Sequence, residues 1–215
     1  MLTSIKKQHG VSLIEILVGL SISMIIAVAV LGIFSNSIDG SQQVLGTGKL
    51  ERDLNAIMDG IVADVQRTGY WFNATSSSTN PFFAAGTDIT DGGTTNCVTF
   101  AYDRNQDGAV TDSDKFGYRM GTSAIQFRPT GSTFACSPAP SDWVNLTDPN
   151  TIIITAFTTS LTSVAIDSND TNTNGTDTTS YRTLTITMSG YLKTNSATTK
   201  TITRTIKVYN NKFSP

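Results

Sequence analysis

The sequence contains few of the side chains on which most catalytic and metal chemistry depends. Its 215 residues include one histidine, His9, and two cysteines. A Ser-His-Asp or Cys-His nucleophile system needs a histidine, as does histidine-ligated zinc or haem. Because the single histidine lies at the extreme N-terminus, these systems are disfavoured. We therefore predict no catalytic residues and no enzyme, and a periplasmic hydrolase on a helical anchor is disfavoured for the same reason.

Charged residues are also scarce. They make up 15% of the chain, against about 25% in typical proteins. The 15 Lys and Arg residues are balanced by 17 Asp and Glu residues, for a net charge of -2. Without a basic excess to neutralise phosphates, we expect no direct binding of nucleic acid. The low charge does not predict disorder, because apolar residues are concentrated in residues 11–34 and recur later in short runs.

The N-terminal apolar run predicts a membrane anchor. Residues 11–34 carry one charged side chain, Glu15, and a helix crosses a bilayer with about 20 apolar residues. Lys6 and Lys7 precede the run, which predicts a cytoplasmic N-terminus. The competing interpretation is a secretory signal peptide, but those have shorter apolar regions of about 7–15 residues. In this chain residues 27–29, Ala-Val-Ala, resemble the cleavage site of a signal peptide, but they lie inside the apolar run.

The segment Gly10-Val11-Ser12-Leu13-Ile14-Glu15 resembles the class III signal of type IV pilins and pseudopilins. In that family a prepilin peptidase cleaves after the glycine, the new N-terminal residue is methylated, and the acid at the fifth mature position aids assembly. The resemblance implies cleavage between Gly10 and Val11, methylation of Val11, and the assembly role for Glu15. The sequence departs from the family at Val11, where the family usually has Phe.

The role of Glu15 can also be argued from electrostatics. Cleavage would leave a charged amine on Val11 at membrane depth, and opposite charges attract strongly where the dielectric constant is low. Glu15 could therefore pair with the Val11 amine of an adjacent subunit or of its own chain. The alternative is an acid near a helix end that extends to the membrane interface.

The rest of the chain predicts an α+β fold. The helical pattern continues to about Thr68, which gives a rod of about 85–90 Å at about 1.5 Å per residue. An apolar stripe on it predicts packing against a sheet. The stripe consists of Leu50, Leu54, Ile57, Ile61 and Val65. Gly32 and the glycines at 40–48 are candidates for flexibility within the helix.

Alternating β-prone runs follow the helix, at residues 98–102, 116–120, 124–128, 151–157, 183–188 and 201–208. We expect a long N-terminal helix, its apolar half protruding, packed on an antiparallel sheet. Residues 73–95 are predicted as loop, and residues 167–180 as an exposed low-complexity loop. The predicted division is a leader (1–10), a membrane and filament-core half of the helix (11–34), an amphipathic half (35–70) and a β-rich periplasmic or extracellular head (71–215).

Cys97 and Cys136 are the only cysteines. An outward-facing, oxidising location favours a disulfide between them, and the alternative is two free thiols. In the chain-entropy account the bond would stabilise the head by about 3–4 kcal/mol.

Residues 103–114, DRNQDGAVTDSD, fit a twelve-position calcium loop. Oxygen ligands at alternate positions, with glycine at the sixth, suit Ca²⁺. The predicted ligands are Asp103, Asn105, Asp107, the carbonyl of Ala109, Thr111 and Asp114. The last position is Asp rather than Glu, and strands rather than helices are predicted on either side. The alternative is a hairpin turn without metal, because turns use the same residues.

The helix end, RTGYW at residues 67–71, and the two-strand C-terminal pattern are similar to PilW-type minor pilins, which are related to J-type pseudopilins of type II secretion. The resemblance implies a subunit of the priming complex at the pilus tip, which starts pilus assembly and supports twitching motility. Implied partners are other minor and major pilins, prepilin peptidase, the inner-membrane assembly platform and a tip adhesin. The location would be the inner membrane, as a single-pass protein, and later the pilus surface.

Two alternatives stay open: a J-type pseudopilin, and a calcium-dependent adhesive module on a membrane anchor.

Overall fold

The structure is a computed structural model that describes residue 10 and residues 12–74, 79–84, 86–92, 96–131, 134–136, 143–167 and 178–214. The leader before Gly10, Val11 and most of the predicted 167–180 loop lie outside the described residues. The chain divides into two compact units, residues 1–45 and 46–215. Helix α1 contributes to both, because it runs through the boundary without interruption.

Helix α1 spans Leu13–Gln66, close to the predicted limits. It stays helical through Gly32 and through the glycines at 40, 46 and 48. Its only buried residues among those described lie in its second part, at Leu50, Leu54, Met58, Ile61 and Val65. The predicted stripe is therefore confirmed except at one position. Met58, four residues after Leu54, is fully buried, whereas Ile57 is only partly buried against the core.

Within the described residues, eight β-strands follow the helix, and they form two antiparallel sheets. The first sheet has the order β1-β2-β3-β4, and the second has the order β5-β6-β7 with β8 also pairing with β6. The strands are β1 (Cys97–Ala101), β2 (Lys115–Met120), β3 (Ile125–Arg128), β4 (Val144–Asn145), β5 (Ile152–Asp167), β6 (Thr178–Leu192), β7 (Asn195–Lys207) and β8 (Lys212–Ser214). The predicted α+β class is confirmed, while the division into two sheets was not predicted.

The hydrophobic core lies where helix residues 50–65 meet both sheets. Strand β6 shows the period-two pattern of a sheet with one covered face, since every second residue from Arg182 to Leu192 is buried. Its other face carries hydroxyls that pair across strands, such as Thr185 with Thr205 and Thr187 with Thr203. The second sheet thus presents one side to the core and a row of threonines to solvent.

The segment between the helix and β1, predicted as loop, is fixed at several points where it is described. Asn80 caps a 3₁₀ turn at Pro81–Phe83 by accepting a hydrogen bond from the Phe82 amide. Asp88 forms ion pairs with the buried Arg182 of β6 and with Lys212 of β8. This acid therefore connects the loop to the second sheet and to the C-terminal strand.

Candidate functional site

The first part of helix α1 carries large apolar side chains that the described residues do not cover. All those from Leu13 to Phe34 are exposed, and the helix is long and apolar enough to cross a membrane. Glu15 lies in its first turn, where the helix dipole favours an acid. The Ser12 carbonyl accepts hydrogen bonds from the amides of Glu15 and Ile16. Gly10 is described, but Val11 is not, so the predicted pairing of the Val11 amine with Glu15 stays a prediction.

Two serines in the apolar half satisfy their hydroxyls within the helix itself. Ser21 Oγ donates to the Leu17 carbonyl at 2.8 Å, and Ser23 Oγ donates to the Gly19 carbonyl at 2.7 Å. An unsatisfied hydroxyl costs free energy in hydrocarbon, and back-bonding to the preceding turn removes that cost. This feature was not predicted from the sequence, although a serine within a long apolar helical run indicates it.

The 103–114 loop connects β1 to β2, and its first residue is held firmly. Asp103 is 2% exposed. Its Oδ2 accepts hydrogen bonds from the amides of Phe72 at 3.1 Å and Gly108 at 3.0 Å. Its amide donates to the Tyr70 carbonyl at 2.9 Å, and Trp71 Nε1 donates to the Gly108 carbonyl at 3.0 Å. The loop is therefore tied to the segment that follows helix α1.

The last residue of the loop closes it. Asp114 is fully buried, and its Oδ1 accepts a hydrogen bond from the Arg104 amide at 3.0 Å. Its Oδ2 accepts from the Thr111 amide at 2.9 Å and from the Thr111 hydroxyl. Thr111 and Asp114 form a capping box at the 3₁₀ turn Asp112–Asp114. Gln106 and Gly108 have positive φ angles of 62° and 77°. The second of these needs glycine, because a Cβ there would lie 2.0 Å from the Asn73 side chain.

The middle of the loop is exposed, and its polar side chains contact one another. Asn105 Nδ2 donates to Asp107 Oδ2 at 2.7 Å, and the Ala109 amide donates to Asp107 Oδ1 at 2.8 Å. Within the part of the chain that the structure describes, no three His, Cys, Asp or Glu side chains are grouped so that they could hold a metal ion. The structure thus brings the predicted calcium ligands into one loop but does not gather their carboxylates around one point. Calcium binding stays a prediction.

A cavity of about 440 Å³ lies beside this loop and was not predicted from the sequence. Its lining includes Asp64 and Arg67 of the helix end, Tyr102, Asp103 and Phe116. Asp64, one of the lining residues, accepts a hydrogen bond at Oδ2 from the Tyr118 hydroxyl at 2.6 Å. Burial, together with this acid, raises the pKa of Tyr118 well above 10.0. The pKa of Tyr102 is also raised by burial, which the nearby Arg67 guanidinium partly offsets.

The predicted disulfide is present. Cys97, the first residue of β1, bonds to Cys136, with their Cα atoms 5.9 Å apart. Cys97 is buried at the edge of the core, beside Val98. The bond therefore fixes the chain that follows β3 to the start of β1, across the first sheet.

The fold and the N-terminal segment together define a class of protein. One long N-terminal helix with an exposed apolar half, followed by antiparallel sheets, is the layout of a pilin-like protein. A family model described as the prokaryotic N-terminal methylation motif matches residues 5–33. A second model, described as prepilin peptidase-dependent protein B, matches residues 43–208.

The second match covers most of the chain, so the chain belongs to the prepilin peptidase-dependent protein B family. No curated protein and no solved structure matches it. The family supports a membrane-anchored pilin-like subunit with a structural role and with partners in pilus assembly in general. The PilW-type and J-type assignments are finer than these matches and remain predictions.

Proposed function

We propose that this protein is a minor pilin: a structural subunit of the type IV pilus tip complex that initiates assembly after cleavage by prepilin peptidase. The single observation that carries the proposal is the exposed apolar half of helix α1 with its lone acid, Glu15. So much exposed apolar surface needs a lipid or protein environment. The methylation motif over residues 5–33 supports a filament rather than a permanent anchor.

Before assembly, the chain lies in the inner membrane as a single-pass protein. Lys6 and Lys7 hold the N-terminus in the cytoplasm, and the head formed by the two sheets lies on the other side. Prepilin peptidase cleaves between Gly10 and Val11, and Val11 is methylated. The leader leaves with both lysines, so the new amine is the only positive charge near Glu15 at the start of the helix.

Assembly then transfers the apolar helix half from lipid into a bundle of other minor and major pilins. The apolar side chains from Leu13 to Phe34 exchange lipid contacts for contacts with neighbouring helices, so apolar burial gives little selectivity for register. The pairing of Glu15 with the Val11 amine of an adjacent subunit supplies that selectivity, because either charge left alone in hydrocarbon is costly. The assembly platform in the inner membrane drives the transfer, and the finished tip can present an adhesin.

The test is a matched pair of substitutions on the same helix. Glu15→Gln removes the charge and keeps the size of the side chain. Asp39→Asn makes the equivalent change at an exposed acid beyond the apolar run. We expect both variants to be cleaved, and only Glu15→Gln to be lost from purified pili, with a fall in piliation or twitching. Normal incorporation of Glu15→Gln would contradict the proposed role of the acid.

Deletion of the whole gene separates the proposal from its closest alternative. A tip minor pilin predicts loss of pili and of twitching motility, with protein secretion unaffected. A J-type pseudopilin predicts loss of type II secretion with pili intact. The adhesive-module alternative predicts that adhesion is lost while assembly continues.

A further inference from the structure

The 103–114 loop buries two carboxylates, Asp103 and Asp114. Asp103 and Asp114 are 2% and 0% exposed. Among the described residues, no Lys or Arg side chain forms an ion pair with either carboxylate. Their hydrogen bonds come from backbone amides and from the Thr111 hydroxyl, none of which carries a charge. Buried carboxylates are normally paired or coordinate a metal, because burying the bare charge is costly.

One oxygen in this loop has no partner among the residues that the structure describes. Asp103 Oδ1 is buried and accepts no hydrogen bond from them, although Oδ2 of the same carboxylate accepts two. The Gly108 amide, one of those two donors, belongs to the turn at the sixth loop position, so the carboxylate lies against that turn. A buried oxygen of this kind calls for a donor or a cation, and the described part of the chain supplies neither.

We propose that the loop is a calcium site in which Asp103 Oδ1 is the fixed ligand. Asn105 and Asp107, at the third and fifth loop positions, complete the set with the Ala109 carbonyl, Asp114 and a water held by Thr111. The Asn105 and Asp107 side chains now contact each other, and both are exposed, so they can turn toward an ion at small cost. One lone pair of Asp114 Oδ1 accepts the hydrogen bond from the Arg104 amide, and the other lone pair can bind an ion.

The ligand chemistry favours calcium over magnesium. The set combines carboxylate, amide and carbonyl oxygens on a flexible loop, which suits the variable coordination of Ca²⁺. Magnesium needs near-ideal octahedral geometry and gives up its water reluctantly. Because Asn105 and Asp107 must be reoriented, we expect weak binding, with a Kd of about 0.1–1 mM, the range of extracellular calcium modules.

Bound calcium would strengthen the junction between the helix and the head. Asp103 also accepts from the Phe72 amide, and the loop accepts from Trp71 Nε1 through the Gly108 carbonyl. An ion that fixes Asp103 therefore fixes the segment that leaves helix α1. This consequence concerns the stability of the head and does not depend on the proposed role in pilus assembly.

The experiment measures calcium binding by the full-length protein in detergent. We expect titration calorimetry to give a binding heat with Ca²⁺. For a Kd of about 1 mM, we expect 10 mM Ca²⁺ to raise the thermal midpoint by about 3–6 °C. Asp107→Asn changes an exposed ligand without disturbing the core and should reduce the rise. Asp103→Asn should abolish it, provided that the variant folds.

The matched control is Asp112→Asn. Asp112 lies in the same loop but at a non-ligand position, and its exposed carboxylate pairs with Lys115 at 3.0 Å. It should keep the full calcium response. The proposal is overturned by any of three results: no binding heat up to 10 mM Ca²⁺, an equal response to Mg²⁺, or an unchanged response in Asp107→Asn.

Discussion

The packing of helix α1 on the head depends on a few side chains, and Leu54 tests it best. Leu54 is 0% exposed within the core cluster. Leu54→Ala removes three carbon groups, worth about 2.4 kcal/mol of transfer free energy at about 0.8 kcal/mol each. The cavity left behind adds to this, so we expect the free energy of unfolding to fall by about 3–4 kcal/mol. That loss corresponds to a fall in thermal midpoint of about 6–16 °C for a domain of this size.

The assay is urea unfolding of the protein in detergent, followed by tryptophan fluorescence, to which the buried Trp143 contributes. Leu45→Ala provides the matched control, because Leu45 lies on the same helix and is 73% exposed. We expect that change to alter the free energy of unfolding by less than about 0.5 kcal/mol. Equal losses in the two variants, or no loss in Leu54→Ala, would refute the packing of the helix described above.

Two further predictions concern the head. Cys136→Ser should lower the free energy of unfolding by about 3–4 kcal/mol through the lost disulfide, and reductant should destabilise the wild type but not the variant. Because the pKa of Tyr118 is raised in the folded state, its contribution to stability is complete below pH 10 and declines as the pH rises further. Tyr118→Phe should therefore reduce stability at pH 7 by about 1.5–3 kcal/mol, through the lost bond to Asp64, and this difference should shrink above pH 10 in denaturation curves.

Local patterns in the sequence predicted the elements that bury one face. The helical period gave α1 to within two residues at each end. The β-prone runs predicted strands close to the observed β1, β2 and β3, and each of these strands buries a large apolar side chain, such as Phe100, Tyr118 or Ile125. In the apolar stripe of the helix, Ile57 was predicted to be buried, but Met58 is the fully buried residue. Both residues fit an apolar stripe, and only the shape of the sheets decides which one is fully buried.

The extent of the second sheet could not be predicted in the same way. β5 was expected to end near Phe157 but continues to Asp167, and it pairs with β6 on both sides of an irregularity between Ile154 and Ala156. Its distal residues are mostly exposed, so the alternation of apolar and polar residues fades while backbone pairing and β-branched threonines maintain the strand. The short β8 and the division into two sheets depend on pairing between distant segments, which local patterns do not encode.

The candidate sites also differ in whether the sequence could predict them. The processing segment and Glu15 form a contiguous motif, and the two cysteines could form a disulfide within the chain only with each other. By contrast, Asp64 and Tyr118 are 54 residues apart in the chain, and nothing local to either residue predicts their contact. The unpaired Oδ1 of Asp103 likewise depends on how the residues after helix α1 pass beside the loop.

The central claim is that the chain is trimmed so that its apolar helix can join a bundle of like helices. Mass spectrometry of the protein purified from its native cells tests this most directly, because it reads the N-terminus itself. We predict a mature chain that begins at Val11 and carries a methyl group on its amine. A chain that still begins at Met1, or one that begins beyond Phe34, would contradict the claim.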